Sequence, residues 1–512
     1  MKKISEYIFP ILFLLVSGFT ACKKDLGNYD YSTNPLPAID TTGIGYVYTI
    51  ERYDSLFIAP KVSYAGMDTT RLKYNWVIYK VITGSTSEVQ TRKLIASQKE
   101  LRVQIAEAVG NYKVELVVTD SVNKLVSNIR FDLTVASGIE YGWMVLHTFN
   151  GESDLDFVVS RAAMPVATQE KHLRNIYSQS TGKKLPGEGR FIAQSRRTTF
   201  SAPIQNWLTI GSPTQLSRIH GNDFSLMREN TSLFQRPGEV INPQAFLMSS
   251  TNSNEVLINN NKLYFSSSPD PLGALFPGAL IGDYSLAPYI ADASSSSIIA
   301  AVYDEKYQRF LHPVNGTASI ATFREPANPA QPFNLNNVGK SMIGMDRGFQ
   351  NQTLNFLKDP TGNGRWLYIT NFNKTDDGLM AVSKIDMTSL PEIAAARYFQ
   401  SSEFGYASFY ATERSVYLYD YLGSNTASRV LNYSAQETIT SMKIFKPRPT
   451  FNLTTTDGRF LYVATWDGTI GRLYEYSINP TSGQVTTTPT HTYTIQGKVV
   501  DMCPKARGAG II

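Results

Sequence analysis

Short aromatic-rich β runs recur along the chain from Gly142 to its end, without a clear helix between them. The clearest runs are Asn261–Ser266, Ile298–Tyr303, Arg365–Thr370, Ser415–Tyr419 and Arg459–Thr465. They return at irregular intervals of roughly 40 to 60 residues, which is the spacing of β-propeller blades. After the last run, Asp467-Gly468 leads into a second run over Gly471–Ile478, and Asp-Gly supplies the positive φ of a tight hairpin turn. The pattern predicts packed hairpins in an all-β region.

These repeats predict a β-propeller over residues 138–512. About 370 residues at this spacing would make six to eight blades. Each blade has apolar faces that only its neighbours can cover, so the ring must close. Trp143–Leu146 and Gly497–Met502 lie near opposite ends of the region and both read as strands, and we expect them to meet in one blade. A pair of β-sandwiches is the alternative fold.

The first 21 residues follow the plan of a signal peptide. Lys2 and Lys3 give a positive start, and Ile8–Val16 is an apolar run shorter than the roughly 20 residues of a membrane span. The segment ends in Ala21-Cys22, as at a lipoprotein signal peptidase site, so we predict cleavage before Cys22 and lipid on that residue. Two or three acyl chains anchor a protein stably. The alternatives are an ordinary secretory signal with an incidental cysteine and an uncleaved membrane helix.

Cysteine usage agrees with a lipid-anchored chain. Cys22 and Cys503 are the only cysteines, so a lipidated Cys22 leaves no disulfide framework and no thiolate metal cluster. We expect Cys503 to be buried and inert. Residues 22–38 end in Asn34–Pro37 and are too polar to bury much surface, which predicts an extended lipidated tether.

Residues 39–137 contain strands at close spacing. The strongest runs are Leu72–Tyr79, Leu101–Ile105, Gly110–Asp120 and Phe131–Val135. They alternate with period two or are rich in aromatic and β-branched residues, and about 100 residues of this kind predict a β-sandwich. Ser87–Glu100 is ambiguous between a helical turn and a long loop.

Residues within this region resemble a PKD domain, an immunoglobulin-like sandwich. Tyr74-Asn75-Trp76 lies on one strand, and Gly110–Val114 and Val118–Asp120 follow it. The resemblance implies that the Trp fills the core and that the Gly-x-Tyr-x-Val strand packs across it. The family's usual Gly-Asp-Gly turn after the Trp strand is missing here, so the sequence resembles an atypical member.

A wider resemblance is to the Bacteroidota PKD-like family lipoproteins. It rests on Asp25–Tyr31, on the sandwich and on Tyr141–Leu146, covers most of the chain, and is strongest before residue 150. Lys23-Lys24-Asp25 resembles their surface-export signal in part, with a single acid. The resemblance implies an outer-membrane location facing the exterior, near a TonB-dependent channel and its binding lipoprotein. The family is defined by architecture, so it implies no catalytic residue.

Motifs for catalysis or metal binding are missing from the sequence. It has no His-Glu-x-x-His, no Gly-x-Ser-x-Gly elbow and no phosphate-binding loop. Asn371–Gly378 alternates oxygen donors as calcium loops do, but its glycine falls late and Val382 occupies the twelfth place, so we favour a polar turn. The five histidines lack zinc-ligand spacing. They are His147, His172, His220, His312 and His491. We therefore predict no metal, no cofactor and no catalytic residue.

Charges point to no single ligand. The net charge of +5 is small for 512 residues and does not suggest nucleic acid. Eleven Lys and Arg face four Asp and Glu between Arg161 and Arg236, and we favour solvated loop charges there over a cleft for an anion. Propellers can bring carboxylates from distant blades together at the ring mouth, where a pair could catalyse glycoside hydrolysis. The acids to inspect are Asp283, Asp304, Asp346, Asp420 and Asp467.

The leading hypothesis is a non-enzymatic, surface-associated binding lipoprotein whose propeller mouth recognises a glycan, a peptide or a metal chelate. The competing hypothesis is a propeller-type polysaccharide hydrolase or lyase, which would place two carboxylates in a deep central pocket. A third is a structural accessory of an uptake complex, with a large apolar patch and no pocket.

Overall fold

The chain forms two compact units, Met1–Val135 and Ala136–Ile512, in a computed structural model. The structure describes residues 35–51, 54–80, 91–107, 109–136, 138–165, 167, 169–199, 202–249, 254–266, 275–293, 298–325, 331–374, 377–447 and 455–505. The predicted signal segment, Cys22 and most of the predicted tether lie outside these ranges. Within them, no helix is long and apolar enough to cross a membrane.

The first unit is a β-sandwich. Its strands are β1 Ala38–Asp40, β2 Val47–Glu51, β3 Ser55–Ile58, β4 Lys61–Ser63, β5 Leu72–Lys80, β6 Lys93–Ala96, β7 Leu101–Gln104, β8 Gly110–Asp120 and β9 Val126–Ala136, with a 3-10 turn at Thr69–Arg71. One sheet has the order β2-β9-β8-β5-β6, and β3 pairs with β7 and β1 with β4. Trp76 is fully buried in the core between them, stacks on Phe131 at 6.0 Å and donates from Nε1 to Gln98 O at 3.0 Å. The described part of the ambiguous Ser87–Glu100 segment contains a strand, β6.

The second unit contains seven sheets arranged as propeller blades within the described residues. Blades 1 to 3 use β10 Gly142–Phe149, β11 Glu152–Val159, β12 Lys171–Leu173 and β13 Leu185–Pro186; β14 Phe191–Thr199, β15 Ala202–Ser212, β16 Gln215–His220 and β17 Leu226–Glu229; and β18 Pro243–Met248, β19 Glu255–Asn259 and β20 Lys262–Ser266. Blades 4 and 5 use β21 Leu286–Asp292, β22 Ala300–Asp304, β23 Arg309–Pro313 and β24 Ile320–Thr322; and β25 Ser341–Arg347, β26 Thr353–Lys358, β27 Arg365–Thr370 and β28 Ala381–Asp386. Blades 6 and 7 use β29 Tyr398–Ser401, β30 Ala407–Ala411, β31 Ser415–Asp420 and β32 Thr426–Asn432; and β33 Thr438–Ile444, β34 Phe460–Trp466, β35 Gly471–Ser477 and β36 His491–Ile495. The last strand, β37 Lys498–Lys505, joins blade 1.

The all-β prediction is confirmed, and several predicted runs coincide with strands. Arg365–Thr370 is β27 residue for residue, and Asp467-Gly468 forms the turn between β34 and β35, where Gly468 has φ +96°. The helical pieces of this unit are α1 Ile176–Thr181 and 3-10 turns at Asn230–Leu233, Phe349–Asn351, Asp377–Leu379 and Ile393–Ala395. The sequence pattern did not predict α1, because six residues are too few for helical periodicity to show.

The ring closes in blade 1, as predicted from the two terminal runs. Strand β37 pairs antiparallel with β10, with Met144 opposite Cys503 and Val145 opposite Met502. Blade 1 therefore has the order β37-β10-β11-β12, so the last strand in chain order is the innermost strand of the first blade. The innermost strands contact one another around a full cycle, β37-β14-β18-β21-β25-β29-β33 and back to β37.

Aromatic side chains fill the spaces between blades. Between blades 7 and 1, Trp143 packs on Tyr462 with centroids 4.6 Å apart and on Phe445 at 5.6 Å. Between blades 5 and 6, Phe356 stacks on Phe399 at 4.3 Å. Burying one large apolar side chain stabilises a fold by about 1.5–3 kcal/mol, so much of the aromatic content serves the core.

Antiparallel order within a blade divides its turns between two faces. Each blade's innermost strand ends on what we name the bottom face, which carries the turns between first and second and between third and fourth strands. The top face carries the turns between second and third strands and the connections between blades. The candidate sites below lie on these two faces.

Candidate functional site

An aromatic groove of about 560 Å³ lies on the bottom face of blades 5, 6 and 7. Turns supply most of its walls. Phe349 follows β25, Phe404–Tyr406 join β29 to β30, and Thr481-Ser482 follow β35. Asp420 contributes from the end of β31. Three blades therefore build one groove.

Two aromatic side chains in the groove are open to solvent. Phe404 is 40 % exposed and Tyr406 is 37 % exposed. The Tyr406 ring meets Phe349 edge-on at 5.0 Å and Tyr421 at 5.8 Å between centroids. Edge-to-face pairs of this kind are favourable and hold the Tyr406 ring in place. A grouped exposed apolar surface rimmed by polar residues is typical of a ligand groove.

Two glycines set the position of the aromatic turn. A Cβ at Gly405 would lie 2.0 Å from Thr481 O, so the turn of blade 6 approaches blade 7 through a residue without a side chain. A Cβ at Gly458, where φ is +70°, would lie 2.6 Å from the Phe404 ring. The Phe404 ring is therefore supported by the backbone of blade 7.

Asp420, one of the predicted acids, lines the groove as a turn cap. Its carboxylate accepts the backbone N–H groups of Gly423 and Ser424, each at 3.0 Å. These contacts fix the side chain, and a carboxylate has acceptor sites beyond two such bonds. Asp420 can therefore accept hydroxyl groups of a ligand at the edge of the groove.

A second cavity, of about 210 Å³, lies nearer the propeller axis, where the ends of β18, β21 and β25 converge. We call it the channel mouth. Lys446 Nζ contacts Asp346 Oδ2 at 2.7 Å and donates to Arg347 O at 2.8 Å. Arg347 Nε lies 3.4 Å from Glu403 Oε1. Because Glu403 directly precedes Phe404, the charged mouth and the aromatic groove adjoin along the chain.

Asp457 is a carboxyl group near the mouth that stays partly protonated at neutral pH. Burial, and then the negative charge of Glu403, raise the pKa of Asp457 to about 7. Its Oδ1 is buried and has no hydrogen-bond partner among the described residues. An acid with such a pKa can donate a proton at neutral pH.

One family model matches part of the chain. Residues 22–189 are similar to the PKD-like family. The matched region includes the first unit and continues through β10–β13 of the propeller. It agrees with the family resemblance expected from the Trp76 strand, whereas lipid on Cys22 stays a prediction.

Solved structures give further similarities. A quinoprotein alcohol dehydrogenase-like protein from Bacteroides thetaiotaomicron is 11 % identical with a TM-score of 0.43, covering 92 % of this chain and 98 % of its own. Hsv2 from Kluyveromyces lactis is 8 % identical with a TM-score of 0.37, covering 68 % and 95 %. The Nup133 β-propeller domain of Vanderwaltozyma polyspora is 10 % identical with a TM-score of 0.32, covering 62 % and 91 %. No residue role is carried over at these values. No curated protein matches the chain in sequence.

The structure does not bring the five predicted acids together. Asp346 and Asp420 lie on the bottom face, and the other three lie at top-face turns. Asp304 Oδ2 lies 3.1 Å from Arg309 Nε, while Asp283 contacts Lys306. Asp467 accepts the N–H groups of Thr469 and Ile470 in the hairpin turn and lies 2.8 Å from Arg472 Nη1. These three acids cap turns or pair with basic side chains.

The histidines are dispersed, apart from one pair. His147 and His172 both contact Asp156 in blade 1. His220 lies 3.8 Å from Asp223, His312 packs on the Phe323 ring at 5.0 Å, and His491 lies 3.6 Å from Glu475. In the described ranges, no group of three His, Cys, Asp or Glu side chains is placed to hold a metal ion.

The remaining candidates serve structure. Cys503 is buried, and burial raises the pKa of its thiol. In the Asn371–Gly378 loop, of which residues 375 and 376 lie outside the described ranges, Asn373 N donates to Asn371 Oδ1 at 3.1 Å. Basic residues of the Arg161–Arg236 stretch are spread over blades 1 and 2, and Arg218 pairs with Glu255 in the interior at 2.7 Å.

Apart from Asp346 and Asp420, the groove and mouth residues were missed at the sequence level. Glu403, Phe404 and Tyr406 lie in a turn, whereas aromatic residues in the sequence mainly indicate strand positions. The signal was present in Glu403–Tyr406, where two aromatic residues flank a glycine directly after a strand. Asp457 carries no local signal, because its pKa depends on its burial in the fold and then on Glu403 in another blade.

Proposed function

We propose that this protein is a non-enzymatic binding lipoprotein, anchored to the outer membrane through Cys22, facing the exterior and accessory to a nutrient-uptake system. Its partners would be a TonB-dependent channel and that channel's binding lipoprotein. The anchor is supported by the positive start, the apolar run and Ala21-Cys22. The binding role is supported by a single observation, the exposed aromatic groove on the bottom face.

Among the possible ligands, the groove favours a glycan. A sugar ring presents a flat C–H face that packs on an aromatic ring, and hydroxyl groups that need acceptors and donors at the edge. Phe404 and Tyr406 offer the rings, and Asp420, Thr481 and Ser482 offer the polar edge. Metal chelates and peptides are the alternatives to be tested in the same assay.

The binding role is tested with the purified protein on an array of neutral and charged oligosaccharides, peptides and metal chelates. We expect a glycan to bind, and Phe404→Ala and Tyr406→Ala each to weaken it about 5–30-fold, since one stacking contact contributes about 1–2 kcal/mol. Tyr307→Ala is the matched control, because Tyr307 is exposed on blade 4 away from the groove. Glycan binding that neither groove variant weakens would refute the assignment to this groove. If no array ligand binds but the channel co-purifies, the protein is a structural accessory.

The anchor is tested separately. Cells fed a clickable fatty acid should label the wild-type protein and leave Cys22→Ser unlabelled. Surface protease should then digest the wild-type protein in intact cells. Equal labelling of both proteins would refute lipid attachment at Cys22, and protection from protease would refute the outward orientation.

A glycoside hydrolase is the second candidate, favoured by Asp457, whose pKa burial and the negative charge of the mouth residue Glu403 raise to about 7. A proton-holding acid and an ionised carboxylate are the two groups that such enzymes use. Release of reducing ends from a bound polysaccharide, abolished by Asp457→Asn and by Glu403→Gln, would replace the non-enzymatic proposal. Binding without release would support the non-enzymatic one.

A further inference from the structure

A third cavity, of about 480 Å³, lies on the top face at the seam where blade 7 meets blade 1. Blade 1 supplies His147 at the end of β10 and Asp154 near the start of β11. The end of β36 supplies Thr494 and Ile495, and the connection into β37 supplies Gln496. We call it the seam cavity. It uses none of the residues of the groove or the mouth.

A buried carboxylate fixes the orientation of His147. Asp156 is 1 % exposed and contacts Nε2 of His147 at 3.1 Å and Nε2 of His172 at 2.8 Å. Burial raises the pKa of Asp156, but the bonds from the two histidines outweigh it and hold the pKa well below its usual range. An ionised carboxylate only accepts, so His147 donates through Nε2. With its hydrogen on Nε2, the ring keeps a lone pair on Nδ1 as an acceptor.

Among the described residues, that lone pair has no partner. His147 is 3 % exposed, and Nδ1 is buried without a hydrogen bond to any described residue. A Cβ at position 497 would lie 2.9 Å from Nδ1, so the close packing beside this atom requires a residue without a side chain. A buried polar atom left unpaired costs about 1–3 kcal/mol, which a donor on a ligand would recover.

Asp154 presents a second buried acceptor. It is 3 % exposed, and its Oδ1 accepts the N–H groups of Leu155 at 2.8 Å and Ser178 at 3.1 Å. Its Oδ2 is buried and unpaired among the described residues. Asp154 lies directly opposite His147 in the β10–β11 pair, so the two side chains share one face with Cβ atoms about 5 Å apart. Two adjacent acceptors, one of them charged, suit an ammonium group.

The rim of the seam cavity carries positive charge, opposite to that of the Asp154 carboxylate. Arg174 is half-buried and makes no ion pair within the described ranges. Lys184 Nζ lies 4.0 Å from Glu152 Oε2, with both side chains well exposed, which leaves the lysine loosely held. Phe149 and Ile470 also line the cavity. Each is at least 40 % exposed, and together they give the cavity an apolar wall.

We propose that the seam cavity binds a zwitterionic amino acid or dipeptide with an apolar side chain. The ammonium group pairs with the Asp154 carboxylate beside His147, the carboxylate lies on Arg174, and the side chain packs on Phe149 and Ile470. The two charges of such a ligand match the two charged ends of the cavity. The proposal is independent of glycan binding on the bottom face.

The test is calorimetric titration of the full-length protein with L-leucine and with leucyl-leucine. We expect one of them to bind and Asp154→Asn to weaken it at least tenfold. N-acetyl-leucine, which lacks the ammonium group, and leucinamide, which lacks the carboxylate, should each bind at least tenfold more weakly than L-leucine. Arg161→Gln is the matched control, an exposed arginine of the same blade outside the cavity, and should change nothing.

Arg174→Gln distinguishes a direct contact between Arg174 and the ligand's carboxylate from an indirect effect of Arg174 on the fold. The substitution should weaken the binding of L-leucine at least tenfold. It should change the affinity for leucinamide less than twofold, because leucinamide has no carboxylate for Arg174 to contact. Equal weakening of both ligands would show that Arg174 acts through the fold and would overturn its assignment. The whole proposal falls if neither probe binds the wild-type protein, or if the acetyl and amide derivatives bind as well as the zwitterion.

Discussion

The pairing of β10 with β37 predicts that one substitution would lock the propeller with a disulfide. Met144 lies opposite Cys503, and both side chains belong to the cluster between blades 1 and 2. Opposite Cα atoms in an antiparallel pair are about 4.5–5.5 Å apart, a distance that a disulfide spans. Met144→Cys, made together with Cys22→Ser, should therefore form a disulfide between position 144 and Cys503.

The size of the effect follows from the loop that this bond closes. Positions 144 and 503 enclose about 360 residues, for which chain entropy gives an upper bound of about 6 kcal/mol. Measured disulfides rarely exceed about 5 kcal/mol, so we expect the oxidised variant to be about 3–5 kcal/mol more stable than its reduced form. Comparing two forms of one variant cancels the packing lost with Met144. The unfolding entropy of the Ala136–Ile512 unit is about 0.8 kcal/mol/K, which converts this gain to about 4–6 °C in Tm.

The assay is scanning calorimetry with and without reductant, after mass spectrometry has confirmed the bond. Val145→Cys is the matched control, because Val145 lies opposite Met502 and packs on the other face of the sheet, towards blade 7. It should leave Cys503 reactive towards a thiol reagent in unfolded protein. If folded Met144→Cys does not oxidise, or if Val145→Cys oxidises as readily, the register and the ring closure are wrong.

Three further predictions concern other parts of the molecule. Trp76→Ala should destabilise the first unit by about 3–5 kcal/mol in urea unfolding, because Trp76 is fully buried, and a smaller loss would contradict its core position. The raised pKa of Asp457 means that the folded state binds the proton of this carboxyl group more tightly than the unfolded state does, so the stability that the proton contributes is present at pH 4 and is lost as the pH rises towards 7. The urea midpoint of the wild-type protein should therefore fall over this interval relative to that of Asp457→Asn. Urea midpoints of the two proteins that change in parallel with pH would contradict the raised pKa. Gly405→Val should weaken groove binding at least tenfold in the array assay, since its Cβ would meet Thr481 O, while unchanged affinity would show that the two turns do not touch.

The strand pattern was predictable because it depends on local chemistry. Alternation and aromatic content located β27 exactly, and Asp467-Gly468 located a hairpin turn. The meeting of the Trp143 and Met502 strands was predictable too, because a ring of blades leaves its first and last strands as each other's only free partners. Ring closure involves the whole domain, but the strand patterns near the two ends of the domain are enough to predict it.

The candidate sites were not predictable in the same way. Phe349, Phe404 and Thr481 come from three blades, and no pattern along the chain tells which turns face each other. The seam cavity depends on the cross-strand pairing of His147 with Asp154 and on the hydrogen bonds that fix each side chain. A polar residue in a β run reads locally as a solvent-facing position, whereas both of these are buried.

Ring closure by β37 also bears on how the protein is made. Blade 1 is synthesised early, yet its innermost strand is the last strand of the ring to leave the ribosome. Until then β10 presents an unpaired edge, and unpaired edges recruit other strands and promote aggregation. The edge of β10 therefore stays open until β37 is made, and a chain truncated before Lys498 would carry an open edge permanently.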